Sequence, residues 1–266
     1  MKEKGELKTH KNKTLNQVLF IVGAIIGWEI LARTGWFPPL LFPRMSDVGA
    51  QLIAEMISGE ILRRLAFSLY IIGWGLGLAV VTAALITAGA MLSPLISDWV
   101  QALMAIMHPL PGIAVLPVII LWLGTGTRSM IAVIWFSSIW PLIANFDTGL
   151  RSVPVTQIEV GRNLGLKGFA LVRSILIPGA FPYILTGLRV GWARAWQASV
   201  AAEMVFGASG GEGGLGWFIY KKRFFMEIPS VFGGMVIIIL IGLLVERLCF
   251  EGVEARTVRR WGMTSE

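Results

Sequence analysis

Among the ionisable side chains inside long apolar stretches of the sequence, four are candidates for function, because an ionisable group is costly there. They are His108, Arg189, Arg194 and Glu203. An arginine in such a setting carries a fixed positive charge that favours the passage of anions. A histidine at a break in a helix can titrate near neutral pH. These residue types indicate electrostatic handling of a small solute rather than covalent chemistry.

Motifs for catalysis and for metal binding are missing from the sequence. The histidines are His10 and His108 and the single cysteine is Cys249, so no His/Glu or multi-thiolate metal cluster can be assembled. There is no Gly-x-Ser-x-Gly turn and no glycine-rich loop that ends in Lys-Ser or Lys-Thr. The glycine-rich segment 207–216 lacks the lysine. We predict no enzyme activity, no metal and no cofactor in this chain.

The composition is that of a membrane protein. Hydrophobic residues make up 55% of the 266 residues and charged residues 15%, whereas soluble domains carry about 25% charged residues. A helix needs about 20 apolar residues to cross a hydrocarbon core of about 30 Å. Six runs are long enough, at about 15–33, 65–91, 99–123, 129–145, 179–205 and 230–249. The predicted fold class is an all-α membrane protein with six transmembrane helices.

Lysine and arginine predict the orientation of these spans, because positive segments are retained in the cytoplasm. With the N-terminus inside, 13 of them fall on the inner side and 8 on the outer side. The predicted domains are a cytoplasmic tail 1–14, a membrane domain 15–249 with a cytoplasmic loop 146–177, and a cytoplasmic tail 250–266. The first apolar run is too long for a signal peptide, so we predict an uncleaved span. The net charge is +7, and the lysines and arginines that produce it lie at the edges of the apolar runs. This distribution indicates membrane lipid, and no nucleic acid, as a partner.

Glycines in the second span predict close helix packing, and prolines in the third span predict a break in the helix. Gly73 and Gly77 have the spacing that lets helix backbones approach closely in lipid, so we expect their face to lie in the interior of the bundle. Pro109, Pro111 and Pro117 interrupt the third span and free carbonyl groups that must find other donors.

The depth of each polar residue leaves alternatives open. Arg189 and Arg194 lie about 16 and 24 Å along a helix that starts at Pro178. Arg194 is a candidate for the translocation path or for a buried ion pair. Arg189 either contacts the solute on that path, reaches the inner surface or forms a structural ion pair. Glu203, about 38 Å along, would lie near the outer end of the path, in a gate or a salt bridge. His108 either lines the path or donates to a carbonyl freed by the proline break.

The loop between spans 4 and 5 predicts a compact helical knob. Pro154 suits a helix start, an amphipathic helix follows, Gly165 ends it, and a second short helix is expected to end at Pro178. Within it, Glu159-Val160-Gly161 is followed after three residues by Gly165 and, nine residues later, by Ile175-Leu176-Ile177-Pro178. A cytoplasmic projection of this kind can serve as the lever on which an external motor acts.

This pattern resembles the coupling loop of ATP-binding-cassette (ABC) importer permeases, Glu-Ala-Ala, three residues, Gly, nine residues, Ile-x-Leu-Pro. Val160, Gly161 and Ile177 depart from the family residues, while the spacing is intact. The segments that surround the loop look like permeases of the nitrate, sulfonate, taurine and bicarbonate group. They are Trp28-Glu29, Pro109–Pro117, the stretch from Gly179 to Glu203, and Gly213–Gly216.

The resemblance implies a type I ABC importer permease in a bacterial inner membrane. It implies partner ATPase subunits that bind ATP and Mg, a second permease copy in a homodimer, and an external substrate-binding protein. It also implies that Glu159, Val160, Gly161 and Gly165 contact the ATPase. A lone secondary transporter or channel, or a membrane-embedded enzyme, is the alternative. A lone transporter is expected to show repeats or matching broken helices, and we find neither in the sequence.

Overall fold

Within residues 2–210 and 213–262, the part of the chain that our computed structural model describes, the backbone forms helices and no strand; side chains are described for residues 15–207 and 213–262. Twelve α-helices occur in this part of the chain. They are α1 (Lys2–Arg33), α2 (Met45–Ile57), α3 (Glu60–Leu92), α4 (Pro94–Met107), α5 (Leu116–Leu123), α6 (Thr127–Arg151), α7 (Val155–Asn163), α8 (Gly168–Leu171), α9 (Ile177–Gly210), α10 (Leu215–Phe224), α11 (Ile228–Val245) and α12 (Gly252–Arg256). A 3₁₀ turn (Gly112–Val115) precedes α5, and π-helical turns (Val172–Leu176 and Glu246–Glu251) precede α9 and α12.

Five stretches of the described helices are long and apolar enough to cross a membrane. They are Leu15–Arg33, Glu60–Leu92, Thr127–Arg151, Gly168–Gly207 and Ile228–Arg256. A sixth crossing is possible if Pro94–Met107 and Gly112–Leu123, which meet at 92°, form one broken span. The predicted all-α membrane fold is confirmed.

Contacts divide the chain into two units. The smaller unit combines the residues up to Leu62 with Ile219–Val236, and the larger one combines Arg63–Phe218 with the residues from Ile237 onward. In the smaller unit, the Trp28 ring stacks on Phe42 with ring centroids 4.0 Å apart.

The core of the larger unit lies between α3, α6 and α9. Ala79 and Ala83 of α3 pack with Leu142 and other buried residues of α6. Helices α6 and α9 approach closely because Gly191 leaves room for Leu142, whose Cγ would lie 3.2 Å from a Cβ at that glycine. This contact fixes the helix that carries both membrane arginines.

Several boundaries differ from the sequence predictions. Helices α2 and α10 occupy segments that lie between the predicted spans. With 13 and 10 residues, they are too short to cross a membrane. Helix α6 continues to Arg151, into the predicted loop 146–177. The second helix of the knob does not end at Pro178, because the π-helical turn carries the chain directly into α9.

Within the described residues of a single chain, Gly73 and Gly77 do not lie on the packed face of α3. No atom of the described residues lies within 4 Å of a Cβ placed at either position. The packed glycine is Gly75, where a Cβ would lie 2.5 Å from Cγ2 of Ile134 on α6. The spacing motif predicts close packing of a helix but does not say which face meets the partner.

Candidate functional site

The predicted knob is present as α7, the loop 164–167 and α8. Helix α7 ends in a Schellman motif, in which the N–H of Leu166 donates to the carbonyl of Gly161 at 3.0 Å and the N–H of Gly165 donates to the carbonyl of Arg162 at 2.9 Å. Gly165 has φ +82°, a conformation that side chains with a Cβ rarely adopt. Glycine is therefore required at this position by the backbone.

Gly161 is required for a different reason, which is space. It is buried, and a Cβ there would lie 2.9 Å from both Cγ1 of Ile175 and Cδ1 of Leu171. This close contact holds α7 against the segment that leads into α9.

The outer surface of the knob combines charge with exposed apolar side chains. Glu159 is exposed, and Val160 and Leu164 expose 56% and 75% of their surface. Phe169, on α8, is 76% exposed. Apolar side chains of this size, rimmed by polar residues, are typical of a protein-contact surface.

A cavity of about 210 Å³ lies between the break after α4, helix α6 and helix α9. Its polar lining consists of His108, Ser137, Arg194 and Gln197. No carboxylate appears among the described residues that line it. The cavity therefore has a net positive electrostatic character.

Arg194 and Gln197 are exposed to this cavity without competing partners. Neither side chain makes a hydrogen bond or an ion pair with a residue that the structure describes. His108 is placed here because α4 ends at Met107 and the chain turns sharply. The Ser137 hydroxyl donates to the Val133 carbonyl at 2.7 Å. Arg194 and His108, both candidates for a path in the sequence, line the same cavity, whereas no sequence pattern indicated Ser137 and Gln197.

Arg189 lies elsewhere and is held by acidic residues near the C-terminal end of the chain. Its guanidinium contacts Glu246 and Glu254, each at an N to O distance of 3.0 Å, and it lies 5.8 Å from the Phe250 ring centroid. Arg189 is not among the residues that line the cavity. The geometry corresponds to the structural ion pair, which was one of the three alternatives for Arg189.

Glu203 is also outside the cavity lining, and it is fully buried. Its Oε2 accepts a hydrogen bond from the Gly216 N–H at 2.7 Å. On α3, Ser68 accepts from the Leu215 N–H at 3.0 Å, and Arg64 donates to the Gly213 carbonyl at 2.8 Å. These contacts fasten the segment that enters α10.

The same cluster explains why a glycine is needed at position 214, just before α10. A Cβ at Gly214 would meet the Ser68 hydroxyl and lie 2.6 Å from Oε2 of Glu203. Sequence analysis missed Arg64 and Ser68, since they lie near the start of a different helix. Gly211 and Glu212, within the glycine-rich segment, lie outside the described residues.

Comparison with known proteins gives one family match and clear relatives. Residues 52–250 match the family described as "Binding-protein-dependent transport system inner membrane component". A protein of Methanocaldococcus jannaschii, named for an ABC transporter permease, is 32% identical over 230 residues and aligned over 84% of each chain. The taurine transport system permease protein of Escherichia coli is 28% identical over 224 residues, or 82% of this chain and 80% of that one.

A solved structure has a similar fold. The crystal structure of an amino acid ABC transporter with histidines aligns with a TM-score of 0.59 at 17% identity, over 79% of this chain and 97% of that chain. At this identity the likeness concerns the fold alone.

Proposed function

Because the chain belongs to the family of binding-protein-dependent transport system inner membrane components, which are multi-pass permease subunits of ABC importers, we propose that it forms the translocation path for a small anionic solute. The proposed solute class is nitrate, bicarbonate, a sulfonate or taurine. The observation that carries the proposal is the cavity with an unpaired Arg194 and no lining carboxylate among the described residues. The taurine transport relative supports the part of this class that carries a sulfonate head group.

The knob is proposed to couple this path to a separate ATPase, which would bind the ATP and Mg. Glu159 and Val160 are exposed on α7 for contact with such a partner, while Gly161 and Gly165 fix the shape of the knob. The continuous path of the chain from α8 through the π-helical turn into α9 supports a mechanical role. A displacement of α7 would act on the same helix that presents Arg194 to the cavity.

The proposed assembly contains two copies of this chain, two ATPase subunits and an external substrate-binding protein, in contact with membrane lipid. Both termini and the knob would be cytoplasmic, as the distribution of Lys and Arg predicts. Cysteine labelling tests this orientation in a background without Cys249, with one new cysteine at Lys167 and one at Phe225. Reagents applied outside the cell should reach only the second position.

ATP-driven uptake by the reconstituted complex tests the proposed function. Vesicles that contain the permease, its ATPase and its binding protein should accumulate the solute only with ATP, and collapse of the ion gradients should not stop uptake. Uptake that continues without ATP but requires an ion gradient would contradict the proposal and favour a secondary transporter.

A further inference from the structure

The cavity between α4, α6 and α9 combines a cationic end with an apolar wall. We infer that it is a selectivity site for organic anions that carry a short apolar tail, and that it rejects zwitterions of the same size. This inference rests on the proposed transport function and narrows its solute class.

The charged end of the cavity is suited to an oxyanion head group. Arg194 and Gln197 are three residues apart on α9, so they lie on one face of the helix about one turn apart. The guanidinium offers several N–H donors in a fixed plane that matches two oxygens of a sulfonate or carboxylate. Since neither side chain has a partner among the described residues, binding an anion would not require an existing ion pair to break.

The rest of the wall is apolar and offers more room than a bare inorganic anion fills. Leu110, Ile113 and Trp140 contribute large apolar surfaces. Ala198 and Ala201 follow on the same face of α9, and their short side chains leave the space open. The volume of about 210 Å³ is several times the roughly 30 Å³ that one water occupies in the liquid. A short alkyl tail would displace water from this wall, which is favourable.

A zwitterion is disfavoured because the cavity offers nothing to neutralise an ammonium group. No carboxylate lines it among the described residues, and the fixed charge of Arg194 repels a second cation. Removing an ammonium group from water without a charged partner is costly. Binding of the anionic head group alone would not distinguish an organic anion from a zwitterion, because both carry that group. The apolar wall distinguishes them, because it accepts an alkyl tail and cannot neutralise an ammonium group.

Propane-1-sulfonate and taurine form a matched pair of probes, because they have the same number of non-hydrogen atoms and differ by a methyl or an ammonium group. We propose titration calorimetry of each probe into the permease–ATPase complex in lipid nanodiscs, without the binding protein. Propane-1-sulfonate should bind about tenfold or more tightly than taurine. Equal binding, or tighter binding of taurine, would overturn the inference.

Two variants separate the head group from the tail. Arg194→Gln should weaken propane-1-sulfonate binding by about tenfold or more, whereas Arg128→Gln, an exposed arginine outside the cavity, should leave it unchanged. Ala201→Leu should weaken propane-1-sulfonate and spare nitrate. If Arg194→Gln does not assemble, the inference is still tested by the relative affinities of propane-1-sulfonate and taurine and by Ala201→Leu.

The two proposals fail in different ways. A wild-type complex that performs ATP-driven uptake of an anion but binds neither sulfonate probe overturns the selectivity site and leaves the proposed function standing. A complex that binds propane-1-sulfonate but shows no ATP-driven uptake contradicts the proposed function instead.

Discussion

Replacing Gly165 isolates the backbone requirement of the knob. At φ +82°, an alanine or a valine would have to adopt a left-handed conformation, and no atom of the described residues lies within 4 Å of the new Cβ. The Cβ of an alanine therefore meets no steric clash within the described chain. Within this chain, Gly165→Ala acts through backbone conformation alone.

The expected cost follows from this conformation. A left-handed residue with a Cβ costs about 1–2 kcal/mol relative to glycine, which lowers the equilibrium ratio of intact to open knob by a factor of about 5–30. Asparagine tolerates this region better than alanine, and valine, which is β-branched, tolerates it least. The fraction of molecules with an intact knob should therefore decrease from glycine at position 165 to asparagine, then alanine, then valine.

The assay is the ratio of solute transported to ATP hydrolysed in vesicles that contain the whole complex. Coupling should fall in the order Gly, Asn, Ala, Val, with assembly unchanged when measured by copurification. If the ATPase instead rejected any added bulk at this position, asparagine would be worse than alanine. That order, or full coupling in the valine variant, would refute the conformational argument.

Three further predictions concern packing and charge. Gly75→Ala should destabilise the protein by about 1–3 kcal/mol through overpacking against α6, whereas Gly89→Ala, where the new Cβ makes only ordinary contacts, should not. Thermal unfolding in detergent compares the two variants, and equal stability of both would contradict the packing of α3 on α6. Burial opposes the charge of Lys222, but its ion pairs with Glu55 and a second glutamate raise its pKa above the usual 10.5. A raised pKa in the folded protein means that the stabilising contribution of Lys222 is present below about pH 10.5 and is lost as pH rises further. Lys222→Met should therefore flatten the alkaline limb of the curve of stability against pH. An unchanged limb would show that the ion pairs of Lys222 do not cause the loss of stability at high pH. Arg189→Met should slightly lower the unfolding temperature, because it removes the cation that pairs with Glu246 and one of the two cations that contact Glu254. Transport per assembled complex should stay near wild type, and a selective loss of transport would instead assign Arg189 to the path.

The sequence predicted the parts of the site that depend on local pattern. The position of Gly165 at the end of α7 follows from the need for a residue with positive φ at a helix terminus. The sequence placed Arg194 in the middle of one long helix, and α9 (Ile177–Gly210) contains it there. The proline-rich segment after α4 predicted a break in the third span, and the chain bends by 92° there.

What the sequence did not predict depends on contacts between distant segments. Arg189 meets Glu254, which lies 65 residues further along the chain, and Ser68 meets Leu215 across 147 residues. No local pattern pairs such residues. The role of Gln197 likewise depends on which face of α9 meets the cavity, and that face is fixed by the packing of α9 on α6.

Affinity purification of this chain from native membranes tests the central claim most directly. A complex solubilised in mild detergent should contain an ATP-hydrolysing subunit in equal amount to the permease, because a permease without an enzyme activity of its own needs an external motor. Mass spectrometry of the complex, with an ATPase measurement on the same sample, gives the composition and the activity together. Equimolar ATPase subunits are the predicted result. A chain that purifies without an ATPase and still transports its solute in vesicles would contradict the account.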